Sequence, residues 1–167
     1  MEPEIPTTHT IQRHLLKSKV RVLIVGAGGN GGIVLEHLLR LHQALVAWGH
    51  PEGLEVTMMD GDTVSGTNCV RQSFSVSDVG HNKATILINR VNLFHGLSWR
   101  SDETFFTKDA PNNTGSSYDN TVDFVISCVD TRTVLVFSTP VNYVLTMSLH
   151  NGLYLEKRTE QWQLNRW

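Results

Sequence analysis

An α/β fold is predicted for this chain, a doubly wound and mainly parallel sheet of the Rossmann-like kind, and three features of the sequence predict it. The β-branched run Val20-Arg21-Val22-Leu23-Ile24-Val25 ends at a glycine loop, Gly26-Ala27-Gly28-Gly29-Asn30-Gly31, as a buried parallel strand does when it feeds a phosphate loop. Apolar residues then recur at Val34, Leu38, Leu41 and Leu45, a spacing that paints one helical face for packing on a sheet. Two more apolar runs, Leu54 to Met59 and Val122 to Val129, each end at an aspartate, Asp60 and Asp130. The carboxyl ends of strands are where ligands sit in such sheets.

The elements follow in order. Residues 1–19 are polar, with two prolines and a short amphipathic piece around Ile11, Leu15 and Leu16, and are expected to form an arm with one helical turn, outside the core. The first strand and glycine loop lead into a helix from Asn30 to about Trp48, which Gly49 and Pro51 stop. After the second strand, Thr63 to Val79 is irregular and polar, and loops of that length in a compact domain are usually functional or disordered. A second helix is expected from Lys83 to about Phe94 through Leu87 and Val91, then a third strand from Trp99 to Phe106. Residues 108–120, rich in Asn, Ser and Gly, read as a surface segment. Beyond Asp130 the apolar stretches Val134 to Phe137 and Val141 to Leu149 alternate poorly, and residues 151–167 read as a polar tail. The expected organisation is therefore an arm over 1–19, a nucleotide-binding domain over 20–150 and the tail.

Composition narrows the function. With 167 residues and 40% apolar composition the chain can bury the core of one domain. A net charge of −2 gives no basic surface to attract nucleic acid or membrane. Two cysteines, Cys69 and Cys128, are too few for a disulfide framework. The first twenty residues lack an apolar signal core and no stretch is long enough to span a bilayer, so the expected location is the cytoplasm.

Within the loop, Gly26 permits the tight turn, Gly28 lets backbone approach phosphate, and Gly31 lets helix and strand pack closely. Asp60 is placed to accept ribose hydroxyls, with a turn aspartate beside Gly61 as the plainer reading. Arg71 and Lys83 are the discriminating pair, because a guanidinium and an ammonium in one pocket neutralise a polyphosphate and the charge that develops as pyrophosphate leaves. Asn68 can hydrogen-bond phosphate or nearby backbone. Asp130 and Asp62 each suit either Mg²⁺ or a turn. Cys128 lies in a strand and Cys69 has no evident base, so neither is expected to act as a nucleophile. The combination points to adenylation chemistry. A nicotinamide-dependent oxidoreductase would use the glycine loop and Asp60 but leave Asn68, Arg71 and Lys83 without work.

Taken together, Gly-Ala-Gly-Gly-Asn-Gly, Asp-Gly-Asp-Thr-Val, Thr-Asn-Cys-Val-Arg-Gln, Gly-His-Asn-Lys and Cys-Val-Asp-Thr, between about Lys19 and Arg132, resemble the ThiF, MoeB and ubiquitin-activating-enzyme family, and most of all its plasmid-borne bacterial ThiF-type (PRTRC-type) members. The resemblance implies ATP contacts from Gly26, Gly28, Gly29 and Gly31, with Asp60 on the ribose, Asp62, Asn68, Arg71 and Lys83 at the phosphates, and Asp130 holding Mg²⁺. Arg71 and Lys83 are the implied catalytic residues. It implies activation of a carboxylate, the C-terminal glycine of a ubiquitin-like or sulfur-carrier protein, as an acyl-adenylate. It also implies a homodimer in which an N-terminal arginine, here Arg13, reaches the neighbouring site. The family's CxxC pairs and later nucleophilic cysteine have no counterpart, so a truncated enzyme or an inactive nucleotide-binding remnant is the other expectation.

Overall fold

The structure, a computed structural model, describes residues 11–106, 122–129, 143–148 and 152–157. Strands β1 (Val20–Val25), β2 (Leu54–Met59), β3 (Arg100–Asp102), β4 (Phe124–Ser127), β5 (Tyr143–Ser148) and β6 (Gly152–Lys157) form one sheet in the order β3-β2-β1-β4-β5-β6. The first five run parallel, and β6 pairs antiparallel with β5. Strand order reverses between β1 and β4. Doubly wound sheets bind ligands in the crevice this reversal leaves.

Helices α1 (Gly29–Ala47) and α2 (Lys83–His95) follow β1 and the long loop after β2. Side chains alternate between the faces of a strand, and the burial follows that rule. Val20, Val22, Ile24, Val56 and Met58 pack with Leu35, Leu39, Ala84, Leu87 and Ile88 of the helices. Leu23, Val25, Met59, Val125 and Val144 form a second cluster. No described helix is long and apolar enough to cross a membrane.

Several expectations are corrected. The buried face of α1 is centred on Gly31, Leu35 and Leu39 with Val34, Leu38 and Leu45 at its margins, whereas Leu41 is exposed. The face is set by the close approach of Gly31 to β1, which rotates Leu41 outward. On α2, Phe94 is likewise exposed. The third strand is only Arg100–Asp102, preceded by Trp99, whose indole Nε1 donates to Leu54 O at 3.1 Å. The arm is not wholly outside the core: a 3₁₀ turn over Arg13–Leu16 buries Leu15. His14 bonds Asp123 at 3.0 Å, and His50 Nε2 donates to Leu15 O at 2.9 Å. Within the stretch read as a tail, Gly152–Lys157 is a strand, because its backbone completes the edge of β5. The surface segment of residues 108–120, and Asp130, lie outside the described residues.

Candidate functional site

A cavity of about 490 Å³ opens at the carboxyl ends of β1, β2 and β4. Val25 and Gly26 come from the end of β1, Met59 and Asp60 from β2, and Cys128 and Val129 from β4. Asp62, Asn68, Arg71 and Gln72 reach it from the loop after β2, Lys83 from the start of α2, and Phe105 and Phe106 from beyond β3.

The glycine loop is built by backbone contact. Gly26 has φ 99°, a left-handed conformation that favours glycine, and its N–H donates to Met59 O at 2.8 Å. A Cβ on Gly31 would lie 1.9 Å from Gly26 O, so only glycine lets α1 start this close to β1. Gly28, the N-cap residue, offers α1 no side-chain cap. The first amides of a helix have no intrahelical partners and attract anions.

Asp60 combines the two roles the sequence left open. Its Oδ2 accepts from Ala27 N at 2.5 Å and its Oδ1 from Asp62 N at 2.8 Å. The carboxylate thus clamps the glycine loop to the end of β2 and closes an Asx-type turn. A carboxylate has about four lone-pair sites, so each oxygen retains acceptor capacity toward the cavity.

The loop carrying Asn68 and Arg71 is ordered by its ends and by two 3₁₀ turns, Asn68–Val70 and Val76–Asp78. Thr63 bridges Asn82, and the Asn82 carboxamide caps α2 through Thr85 N at 3.0 Å while donating to Asp60 O at 2.7 Å. Asp78 accepts from Ser75 N and Oγ at 2.7 and 2.8 Å and pairs with Arg90 of α2. The Ser75 amide first, then its hydroxyl and the Arg90 guanidinium, hold the Asp78 carboxyl below its ordinary value. Arg90 also donates to Ser73 O at 2.5 Å. The loop is therefore tied to the helix that supplies Lys83.

Asn68 is buried, and its Oδ1 accepts from both Ser65 N and Ser65 Oγ at 2.8 Å. That oxygen shapes the loop, so the amide nitrogen is the end available to the cavity. Lys83 is buried, with Nζ 2.9 Å from Asp62 Oδ2. Asp62 is thus the counter-ion of Lys83. Arg71 is exposed and has no ion-pair partner among the described residues. Arg13 sits with the 3₁₀ turn that docks at the amino ends of β1 and β4, at the opposite end of the strands from its own cavity. Among the described residues no group of three His, Cys, Asp or Glu is arranged to hold a metal.

Three cavity residues were missed by the sequence argument. Gln72 follows Arg71 and lies over Gly28 and Gly29. Phe105 sits against Gly61, where an added Cβ would meet its ring at 2.6 Å, and Phe106 packs in the second cluster with Val25 and Met59. Asp102 fixes the approach of this pair by accepting from Thr104 N and Oγ1 at 2.9 and 2.6 Å. The signals available were the Arg-Gln adjacency and the paired aromatics, read as part of a strand. Neither cysteine is poised as a nucleophile: burial pushes the Cys128 thiol up to about 12, and Cys69 Sγ donates to Ser75 O at 3.3 Å.

The sequence pattern that defines the ThiF family matches residues 5–139. The chain belongs to the ThiF family. Cap2 of Enterobacter hormaechei subsp. hoffmannii (strain UCI 50), an ATP-dependent ubiquitin transferase-like protein, is 34% identical over 77 residues, 46% of this ThiF-family chain and 11% of Cap2. A solved structure of the E. coli tRNA N6-threonylcarbamoyladenosine dehydratase TcdA in complex with ATP is 25% identical, with a TM-score of 0.51 over 67% of this chain and 42% of TcdA. A second TcdA structure gives 24% identity and a TM-score of 0.52. The chain therefore spans less than half the length of either relative, and its fold is Rossmann-like α/β, matching the TcdA structures.

Proposed function

We propose that this chain is the nucleotide-binding unit of an ATP-dependent adenylyltransferase that activates a carboxylate, the C-terminal glycine of a ubiquitin-like or sulfur-carrier protein. The observation that carries the reading is the convergence of two cations, Arg71 and Lys83, with an uncapped glycine-loop helix start on one cavity at the sheet's switch point. A dinucleotide site needs the loop and the acid but not this pair. The ATP complex of TcdA and the description of Cap2 as ATP-dependent support the same assignment by kinship.

The residues fit a nucleoside triphosphate. Asp60 offers its remaining lone pairs to ribose hydroxyls, and Phe105 offers an apolar face beside it. The amides of Gly28 and Gly29 take the phosphate next to the ribose. Before polyphosphate binds, Asp62 neutralises Lys83 at 2.9 Å, which lowers the cost of keeping an ammonium buried. A phosphate oxygen entering the cavity competes for that ammonium and draws it toward the substrate. Carboxylate attack on the α-phosphorus then forms the acyl-phosphate bond and breaks the bond to pyrophosphate. Arg71 and Lys83 stabilise the negative charge that gathers on the leaving group. Mg²⁺ would neutralise phosphate charge there, with an oxygen of Asp62, once parted from Lys83, and Asp130 as the proposed protein ligands. We further propose a cytoplasmic location and a homodimer in which Arg13 serves the partner's site.

The test is pyrophosphate exchange with a carrier protein ending in Gly-Gly, alongside ATP and NAD titrations. Arg71→Ala and Lys83→Met are expected to lower exchange by roughly 10²–10³-fold each, as for removal of a donor to transition-state charge, with smaller losses of ATP affinity. NAD binding as tight as ATP binding would refute the assignment.

A further inference from the structure

Gln72 has no role in the arrangement described so far. Its backbone is held from both sides: Gln72 N donates to Asn68 O at 2.9 Å, and Phe74 N donates to Gln72 O at 2.8 Å. Phe74 is anchored in the core. The side chain is thereby sent across the cavity to the glycine loop. Nε2 lies 3.9 Å from where a Cβ on Gly28 would stand, and Cγ lies 4.0 Å from the equivalent point on Gly29. Gln72 Oε1 is buried and has no hydrogen-bond partner. Among the described residues it is the one buried side-chain oxygen or nitrogen in that condition.

An unpaired buried acceptor is costly because its lost hydration is not replaced. A side chain kept in that state answers to a demand elsewhere, and the nitrogen end of the same carboxamide is the one that faces Gly28. A phosphate on the Gly28 and Gly29 amides presents oxygens, which the amide nitrogen can meet and the carbonyl oxygen cannot.

We infer that Gln72 is a positioning residue for the phosphate adjacent to the ribose: Nε2, which already faces the glycine loop, donates to an oxygen of that phosphate. This rests on the nucleotide reading above. The adjacency follows from Asp60, the ribose acid, which is bonded to Ala27 N immediately before Gly28. That phosphorus is the one a carboxylate attacks in adenylation. Because the Gln72 amide is neutral, its contribution is the same for one phosphate as for three. The contributions of Arg71 and Lys83 grow with phosphate charge.

Calorimetric titration of the full chain with adenosine, AMP and ATP separates these effects. Gln72→Met, similar in size but without the donor, is expected to weaken AMP and ATP alike by about tenfold, the size of one hydrogen bond to a charged group. Adenosine affinity stays at the wild-type value, which also shows that the variant is folded. In the wild type, AMP is expected to shift the side-chain amide resonances of Gln72, while adenosine does not. Three results overturn the assignment alone: unchanged AMP affinity in Gln72→Met, an adenosine loss equal to the AMP loss, or amide resonances indifferent to AMP. A wild-type chain that binds none of the three ligands overturns the nucleotide reading and this assignment with it.

Discussion

Replacing Gly31 by alanine tests the architecture of the glycine loop without reference to any ligand. The new Cβ would stand 1.9 Å from Gly26 O and 2.9 Å from Gly26 C. Real Cβ contacts essentially never fall below 3.0 Å, so the two backbones must part by about 1.1 Å. Gly26 has nowhere to go. Its φ is 99°, and a Cβ placed on it would itself meet Cys128 O at 3.0 Å while its N–H is bonded to Met59 O, so the loop is already held between the ends of β2 and β4. The strain falls on α1, which must lift Leu35 and Leu39 from the core. Overpacking of a well-filled site costs about 1–3 kcal/mol, and backbone cannot relax as a side chain does, so the expected loss is about 3 kcal/mol or more. Gly32→Ala is the matched control: its Cβ would make an ordinary 3.8 Å contact with Leu87 Cδ1. Alanine inside a helix is favoured over glycine by roughly 0.5–1 kcal/mol. Urea denaturation followed by circular dichroism should therefore move the two midpoints in opposite directions. A Gly31→Ala protein as stable as Gly32→Ala would refute the argument that backbone contact dictates this glycine.

Two more outcomes follow from the charges and thiols. At pH 8 iodoacetamide should label Cys69 in the native protein and spare Cys128, whose thiol burial has pushed up to about 12; mass spectrometry showing Cys128 modified before unfolding would contradict the placement. The Asp78 carboxyl is held below its ordinary value of 3.8 by Ser75 and Arg90. Its contribution to stability is therefore fully present above about pH 3.8 and is lost as pH falls through the lower folded value. The stability gap between wild type and Asp78→Asn, measured by urea titration across a pH series, should be level near neutrality and close on acidification below that point. A gap that widens in acid would reject the Arg90 and Ser75 pairing.

How far the site could be read from the sequence depended on the range of the interactions involved. Asp60 was recognised at a strand end because strand period and punctuation are local signals. The two hydrogen bonds it accepts, from Ala27 N and Asp62 N, were not, since Ala27 lies 33 residues away in sequence. Asp62 read as a turn or capping residue slightly ahead of a metal ligand until Lys83, 21 residues on, proved to be its partner. Leu41 and Phe94 fit their helical spacing yet face outward, because a spacing defines a stripe without saying where its centre touches the sheet. Gly152–Lys157 is too polar to read as a buried strand, and its pairing depends on the free edge of β5.

By itself the sequence determined the strand, glycine loop and helix of the first unit, the aspartate at the end of β2 and the order in which the polar groups of the site arrive. Those features follow from alternation, helical period and the conformational freedom of glycine, all of which act within a few residues. Only the tertiary structure decided which of those groups share a cavity and in what state of pairing. Asn68 spends its oxygen on Ser65, Lys83 is held by Asp62, Arg71 remains exposed and Gln72 keeps a buried oxygen without a partner. These outcomes depend on the loop of residues 63–82 folding back onto the glycine loop, and desolvation and hydrogen bonding act on positions in space that no local pattern specifies.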